Sequence, residues 1–153
     1  MDDYFKKQLR FCIVVNSYRN AQNGLMYRNI DSILQQNYTN YHVVYTDDFS
    51  PDQTGQKAVD YLKEKGIPDD KFRVKQNTKH EGMMANIYNG IASDCQLGEI
   101  AVMLDGDDSF IGTNVLAMLN AVYHREKIAI MWANFLMVTA NSVANPGFSR
   151  DYN

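Results

Sequence analysis

The chain is poor in several features that would announce a class of protein. Of its 153 residues only two are cysteine and three are proline. Two cysteines are too few for a disulfide-stapled secreted module. Cys12 and Cys95 each fall in a segment that reads as buried, so both are expected as free thiols behaving as small hydrophobes in a reducing, cytoplasmic setting. Basic residues are not in excess: 15 Lys plus Arg stand against 18 Asp plus Glu, a net charge of -3. That balance provides no general means of holding nucleic acid or an anionic membrane. The longest apolar run, IAIMWANFLMV at 128–138, falls well short of the roughly 20 residues that a spanning helix needs. The N-terminus, MDDYFKKQLR, is acidic where a signal peptide is basic, and the FCIVV after it is too short for a secretory core.

Common motifs are missing too. The chain has no G-x-x-x-x-G-K-[ST] phosphate loop and no G-x-G-x-x-G fingerprint. His80-Glu81 is followed by Met84 where a zinc helix requires a second His. An EF-hand loop starting at Asp105 would need Gly and Glu where the chain has Phe110 and Leu116.

What is present is alternation. FCIVVNS from 11, YHVVYTD from 41, KFRVKQN from 71 and IAVMLD from 100 read as strands. Between them lie helical faces: Leu25, Met26, Ile30, Ile33 and Leu34; then Ala58, Val59 and Leu62; then Met83, Met84, Ile87, Tyr88 and Ile91. A fourth helix is expected from Thr113 to about Arg125, a strand within 128–138, and a polar tail beyond. Strands alternating with helix-length crossovers predict an α/β fold, a mostly parallel open sheet with helices on both faces, as one domain over 1–153. The continuous apolar runs FCIVV and IAVML predict strands buried on both sides.

Ligands of such sheets bind beyond the carboxyl ends of the strands. Two of the four ends are acidic: TDDFSPDQTG after the second strand and DGDDSF after the fourth. Asp105 and Asp107, two apart on an extended backbone, point to the same side. With Asp108 they offer oxygen ligands to a hard cation, Mn²⁺ or Mg²⁺, bridging to a diphosphate. A carboxylate at Asp47 or Asp48 suits a base N–H or a ribose hydroxyl, although Asp, Ser50 and Pro51 are also ordinary turn and helix-start residues. His42 reads as a strand-flank residue. Arg73, Lys75, Lys79 and His80, near the third strand end, are candidates to assist a diphosphate or simply solvated groups.

Taken together, CIVVNSYRN, SILQQNYTNYHVVYTDDFSPDQTGQ and IAVMLDGDDSF resemble the nucleotide-sugar half of family 2 glycosyltransferases with the GT-A fold, over roughly residues 10–138. In that family a first strand ends in a Pro-Thr-Tyr-Asn-like turn, a second in Asp-Asp-Gly-Ser and a fourth in an Asp-x-Asp metal motif. The resemblance implies a nucleotide site of Asn16, Ser17, Tyr18, Asp47, Asp48, Asp105 and Gly106. Tyr18 stands at an aromatic that contacts the base, and Asp48 at a carboxylate that hydrogen-bonds it. The implied metal ligands are Asp105, Asp107 and Asp108, and the implied donor is a UDP- or GDP-sugar. Three positions depart from the pattern: Asn16 for Pro, Arg19 for Asn and Phe49 for Gly.

The function implied is a glycosyltransferase, inverting at the sugar, that moves the sugar to an acceptor hydroxyl. The resemblance puts the acceptor region and the general base well downstream of the Asp-x-Asp, and the sequence stops at Asn153, so it is expected to be either a truncated, inactive fragment or a shortened protein that binds the donor and transfers poorly. Two alternatives are a non-catalytic nucleotide-sugar binding module and a nucleotidyltransferase. The second would carry a Gly-rich basic loop after the first strand, where NSYRNAQNGLMYRN has one glycine.

Overall fold

A computed structural model describes residues 7–126, 128–131, 137–138 and 143–144. Four parallel strands, β1 (Phe11–Ser17), β2 (Tyr41–Asp47), β3 (Phe72–Gln76) and β4 (Ile100–Asp105), form one sheet in the order β3-β2-β1-β4. Helices α1 (Leu25–Leu34), α2 (Thr54–Glu64) and α3 (Met83–Asp94) connect them, and α4 (Val115–Arg125) follows β4. A short antiparallel pair, β5 (Met137–Val138) and β6 (Val143–Ala144), lies beyond. Of the strand expected within 128–138, β5 takes the last two residues; 132–136 lie outside the described residues.

Side-chain alternation divides the core into two layers. Phe11, Ile13 and Val15 of β1 and Tyr41, Val43 and Tyr45 of β2 face Met26, Ile30 and Ile33 of α1, Ala58 and Leu62 of α2, and Leu116 of α4. On the opposite face Cys12, Val14 and Val44 form a smaller cluster beneath α3. The central strand β1 is therefore buried on both sides, as its unbroken apolar run requires.

Four expectations need correction. β4 alternates, with Ala101 and Met103 exposed, because it lies at the edge of the described sheet and α3 covers β1 and β2 instead. In α3 the inward face is Asn86 and Gly90, while Met84 and Tyr88 stand outward at 72% and 71% exposure. A Cβ on Gly90 would meet Val14 Cγ1 at 2.7 Å, so this helix lies too close to β1 for a larger side chain at the contact. α2 begins at Thr54 rather than at Ser50-Pro51. The Asp52 carboxylate accepts from the Thr54 N–H (3.1 Å) and hydroxyl (2.6 Å), serving the orphan donors at the helix start.

The fourth correction concerns the cysteines, which form a disulfide, with their Cα atoms 5.6 Å apart. Cys12 points to the α3 face and Cys95 terminates α3 directly above it, a proximity across 83 residues that no local pattern discloses. Closing a loop of that length contributes roughly 4–5 kcal/mol in the chain-entropy model. The expectation of free thiols, and the reducing setting inferred from them, is not supported. No helix among the described residues is long and apolar enough to cross a membrane.

Candidate functional site

The strand order has one reversal: from β1 the chain moves outward through β2 to β3, then returns to place β4 on the other side of β1. At such a switch point the connecting loops diverge and leave a crevice beyond the strand ends. Register brings the predicted residues to it. Asn16 is the Cα partner of Asp105, and Ser17 that of Asp47, so the two acidic ends flank the end of β1.

Asp105, Asp107 and Asp108 are exposed on the turn after β4. Partial loss of water and the charge of Asp107 push the Asp105 carboxyl up from its ordinary range, and partial loss of water with Asp107 and Asp105 pushes Asp108 up. Three carboxylates on one turn make an all-oxygen donor set of the kind a hard divalent cation takes, although in this structure they do not bring one oxygen each within 4.8 Å of one another. The turn is held from below. Asn29, fully buried on α1, donates its side-chain amide to the carbonyls of Asp105 (2.9 Å) and Asp108 (2.8 Å). The Asp108 N–H closes on the Asp105 carbonyl at 3.0 Å. Gly106 is required by contact: a Cβ there would come 2.6 Å from Ser17 Cβ and 2.8 Å from Asn20 Nδ2.

Asp48 is 1% exposed, and its carboxylate accepts the N–H groups of Glu81 (2.8 Å) and Gly82 (2.9 Å) and the Asn77 amide (2.9 Å). His80 Nδ1 lies 2.9 Å from the same group. Burial alone would push this carboxyl up, but the Glu81, Asn77, Asn86 and Gly82 donors outweigh it and bring it down to about 2. Asp48 thus anchors the loop entering α3. From it a chain of amides crosses to β1: Asn77 donates to Asn86 (2.8 Å), which donates to Asn16 (2.9 Å). The Tyr18 ring lies 4.8 Å from that of His80 and 4.9 Å from the Arg19 guanidinium.

Asp48 is therefore buried with its carboxylate taken by donors of this chain rather than open to a base, and two further predicted residues also face inward. Ser17 is fully buried, with its hydroxyl engaged by Tyr45 (2.6 Å) and Asn20 (2.9 Å). Asp47 is 4% exposed and accepts from the N–H and hydroxyl of Ser50. Of the basic candidates, Arg73 and Lys75 pair with Asp94 (3.4 and 2.8 Å) and Lys79 with Glu81 (3.7 Å). The residues that sequence reasoning missed are Asn29, Asn77 and Asn86. Their signal was faint: an Asn inside an apolar helical face, and an Asn four residues before a Gly.

The two departures at loop positions also have a backbone basis. Arg19 (φ 59°) and Phe49 (φ 60°) are in the left-handed region. These are the places where the family pattern has Asn and Gly, the residues that enter it most easily.

Comparison with known proteins bears on the fold and the family. The chain is 28% identical over 143 residues to the UDP-Glc:alpha-D-GlcNAc-diphosphoundecaprenol beta-1,3-glucosyltransferase WfgD of Escherichia coli, covering 94% of this chain and 50% of that protein. Among solved structures it superimposes on the mannosyltransferase PcManGT from Pyrobaculum calidifontis, in complex with GDP-Man and Mn²⁺. There the TM-score is 0.65 at 23% identity, over 77% of this chain and 33% of that one. It also matches S. aureus TarS 1-349 in complex with UDP-GlcNAc, with a TM-score of 0.59 at 21% identity, over 76% of this chain and 32% of that one. The chain therefore spans half the length of the curated relative and about a third of these structures, and its fold is that of the GT-A glycosyltransferases. The family model for glycosyl transferase family 2 matches residues 12–138, and the chain belongs to that family.

Proposed function

We propose that this chain is the donor-binding part of an inverting glycosyltransferase that takes a UDP- or GDP-sugar and passes the sugar to an acceptor hydroxyl. The observation that carries this reading is the register at the switch point, which sets the acidic turn after β4 beside the Tyr18 loop after β1, where ligands of such sheets bind. Tyr18 and His80, partly exposed side by side, present an aromatic surface against which a base packs. Asp48 holds the loop that carries His80 and so shapes that surface.

Asp105, Asp107 and Asp108 are the residues that would hold Mn²⁺ or Mg²⁺, which supplies Lewis-acid stabilisation of the leaving diphosphate. Asn29 and Gly106 keep their turn in place. In the transfer, the acceptor oxygen bonds to the anomeric carbon as the bond from that carbon to the diphosphate oxygen breaks on the opposite face. A base takes the hydroxyl proton, and we assign no residue of this chain to that task. PcManGT and TarS, solved with GDP-Man and UDP-GlcNAc respectively, support a nucleotide-sugar donor.

Calorimetric titration of UDP and of GDP in the presence of Mn²⁺, repeated with excess chelator, tests the proposal. Binding of one nucleotide that disappears with chelator is the expected result. Absence of binding by a folded sample overturns it, and binding without turnover of any offered sugar leaves a donor-binding module.

A further inference from the structure

A second cluster of metal-grade side chains lies at the opposite end of the strands. Cys12 and His42 are register partners on adjacent parallel strands, so their side chains leave the sheet on one face at one height. Cys95, the residue that ends α3, comes down onto that face, and Glu99 leads into β4. One ligand atom each from Cys12, Cys95 and Glu99 lie within 4.8 Å of one another, and Glu99 Oε2 is 3.0 Å from His42 Nε2. Asn16, at the nucleotide end, is four residues further along β1, roughly 13 Å away at the rise of a strand. This cluster is therefore separate from the aspartate turn.

We propose that, once its disulfide is reduced, the Cys12, Cys95, His42 and Glu99 cluster is a four-coordinate site for Zn²⁺. Two sulfurs, an imidazole nitrogen and a carboxylate oxygen make up a set that zinc takes in tetrahedral geometry. With bonds of about 2.0–2.3 Å, tetrahedral ligands stand roughly 3.3–3.8 Å from one another; the Cys12, Cys95 and Glu99 atoms already lie within 4.8 Å of one another, and His42 would join them from its place beside Glu99. Charge also agrees. Two thiolates and a carboxylate against a dication leave one negative charge, and the Arg10 guanidinium already lies on Glu99 to meet it. The Arg10 side chain is half-exposed, so it yields a carboxylate oxygen without leaving a buried charge unpaired. Glu99 is itself 3% exposed, oriented by the Gln96 N–H at 2.7 Å as well as by His42. The end of α3 is thus held against β1 in either state, by the Cys12–Cys95 bond under oxidising conditions and by a cation on all four residues under reducing ones.

Reduction by a phosphine breaks the S–S bond with two electrons and two protons, the phosphine leaving as its oxide with oxygen from water. Zn²⁺ binding then releases the thiol protons. The test is anaerobic titration of Co²⁺, as a spectroscopic substitute, into the phosphine-reduced chain, followed by competition with Zn²⁺. The expected result is a sulfur-to-cobalt charge-transfer band that saturates at one equivalent and is displaced by Zn²⁺. The disulfide form should not show it, and Co²⁺ affinity should fall at least tenfold in His42→Ala and in Glu99→Gln. The aspartate turn cannot produce that band, so the outcome is independent of nucleotide binding. A reduced, folded chain without the band overturns the proposal, as does a band equally strong in both variants. If reduction unfolds the chain, recovery of its circular dichroism on adding Zn²⁺ supports the site, and no recovery overturns it.

Discussion

The side-chain amide of Asn29 donates to the main-chain carbonyl of Asp108 at 2.8 Å, joining α1 to the acidic turn across 79 residues of chain. The same nitrogen reaches the Asp105 carbonyl, so one buried amide sets the separation of two carboxylate-bearing residues. Replacing it with Ala takes that donor from both carbonyls and leaves the Asp105 carbonyl with the Asp108 N–H alone, at a cost of about 1 kcal/mol. Asn29→Ala is expected to lower the denaturation midpoint and to weaken Mn²⁺-dependent nucleotide binding. Asn29→Asp, which at neutral pH has no donor and adds charge, should weaken binding further. Calorimetry on the folded variants, with the Mn²⁺ affinity measured separately, checks both.

Asp48 makes stability depend on acid. Its carboxyl lies near 2 in the folded chain against an ordinary value of 3.8, so the unfolded chain binds the proton more tightly. The corresponding stabilisation, about 2 kcal/mol, is complete above pH 4 and is lost as pH falls through 2. Urea unfolding between pH 5 and pH 2 should show this loss. Asp48→Asn should be less stable at pH 6 and flatter across the acid range.

At the β4 turn the sign is reversed. Asp105 and Asp108 are raised in the folded chain, so ionisation of the turn opposes folding as pH rises through their titration. Removing the charge that acts on both of them, in Asp107→Asn, should raise the melting temperature at neutral pH without metal. The same variant should lose the stabilisation that Mn²⁺ with nucleotide confers on the parent. A thermal melt of each protein with and without Mn²⁺ and UDP or GDP reads both effects.

Phe49 occupies the left-handed region with its side chain 57% exposed. A non-glycine residue there costs about 1–2 kcal/mol, only part of which glycine's greater freedom in the unfolded chain offsets. Phe49→Gly should therefore raise stability by about 0.5–1 kcal/mol, seen as a higher urea midpoint with an unchanged slope.

Strands and helices were legible because they rest on local periodicity. Continuous apolar runs and 3.6-residue faces lie within a few neighbouring residues, and β1, β2 and β4 begin and end where the pattern places them. The acidic ends were visible for the same reason, as charge following a buried run. What lay beyond local pattern was which side of an element meets which neighbour. The Met-rich face of α3 was an equally good helix face by periodicity, yet Gly90 is what allows the approach to Val14.

By itself, then, the sequence determined the α/β alternation, the family pattern at three strand ends and the carboxylates of the β4 turn, all of which follow from residue types a few positions apart. Only the tertiary structure decided that Cys12 meets Cys95, that Ser17 and Asp47 turn inward, and that Asn29, Asn77 and Asn86 support the site. The reason is physical. A buried cysteine or asparagine is stable only if a partner group arrives from elsewhere in the chain, and that meeting is set by strand order and helix approach rather than by neighbours in sequence.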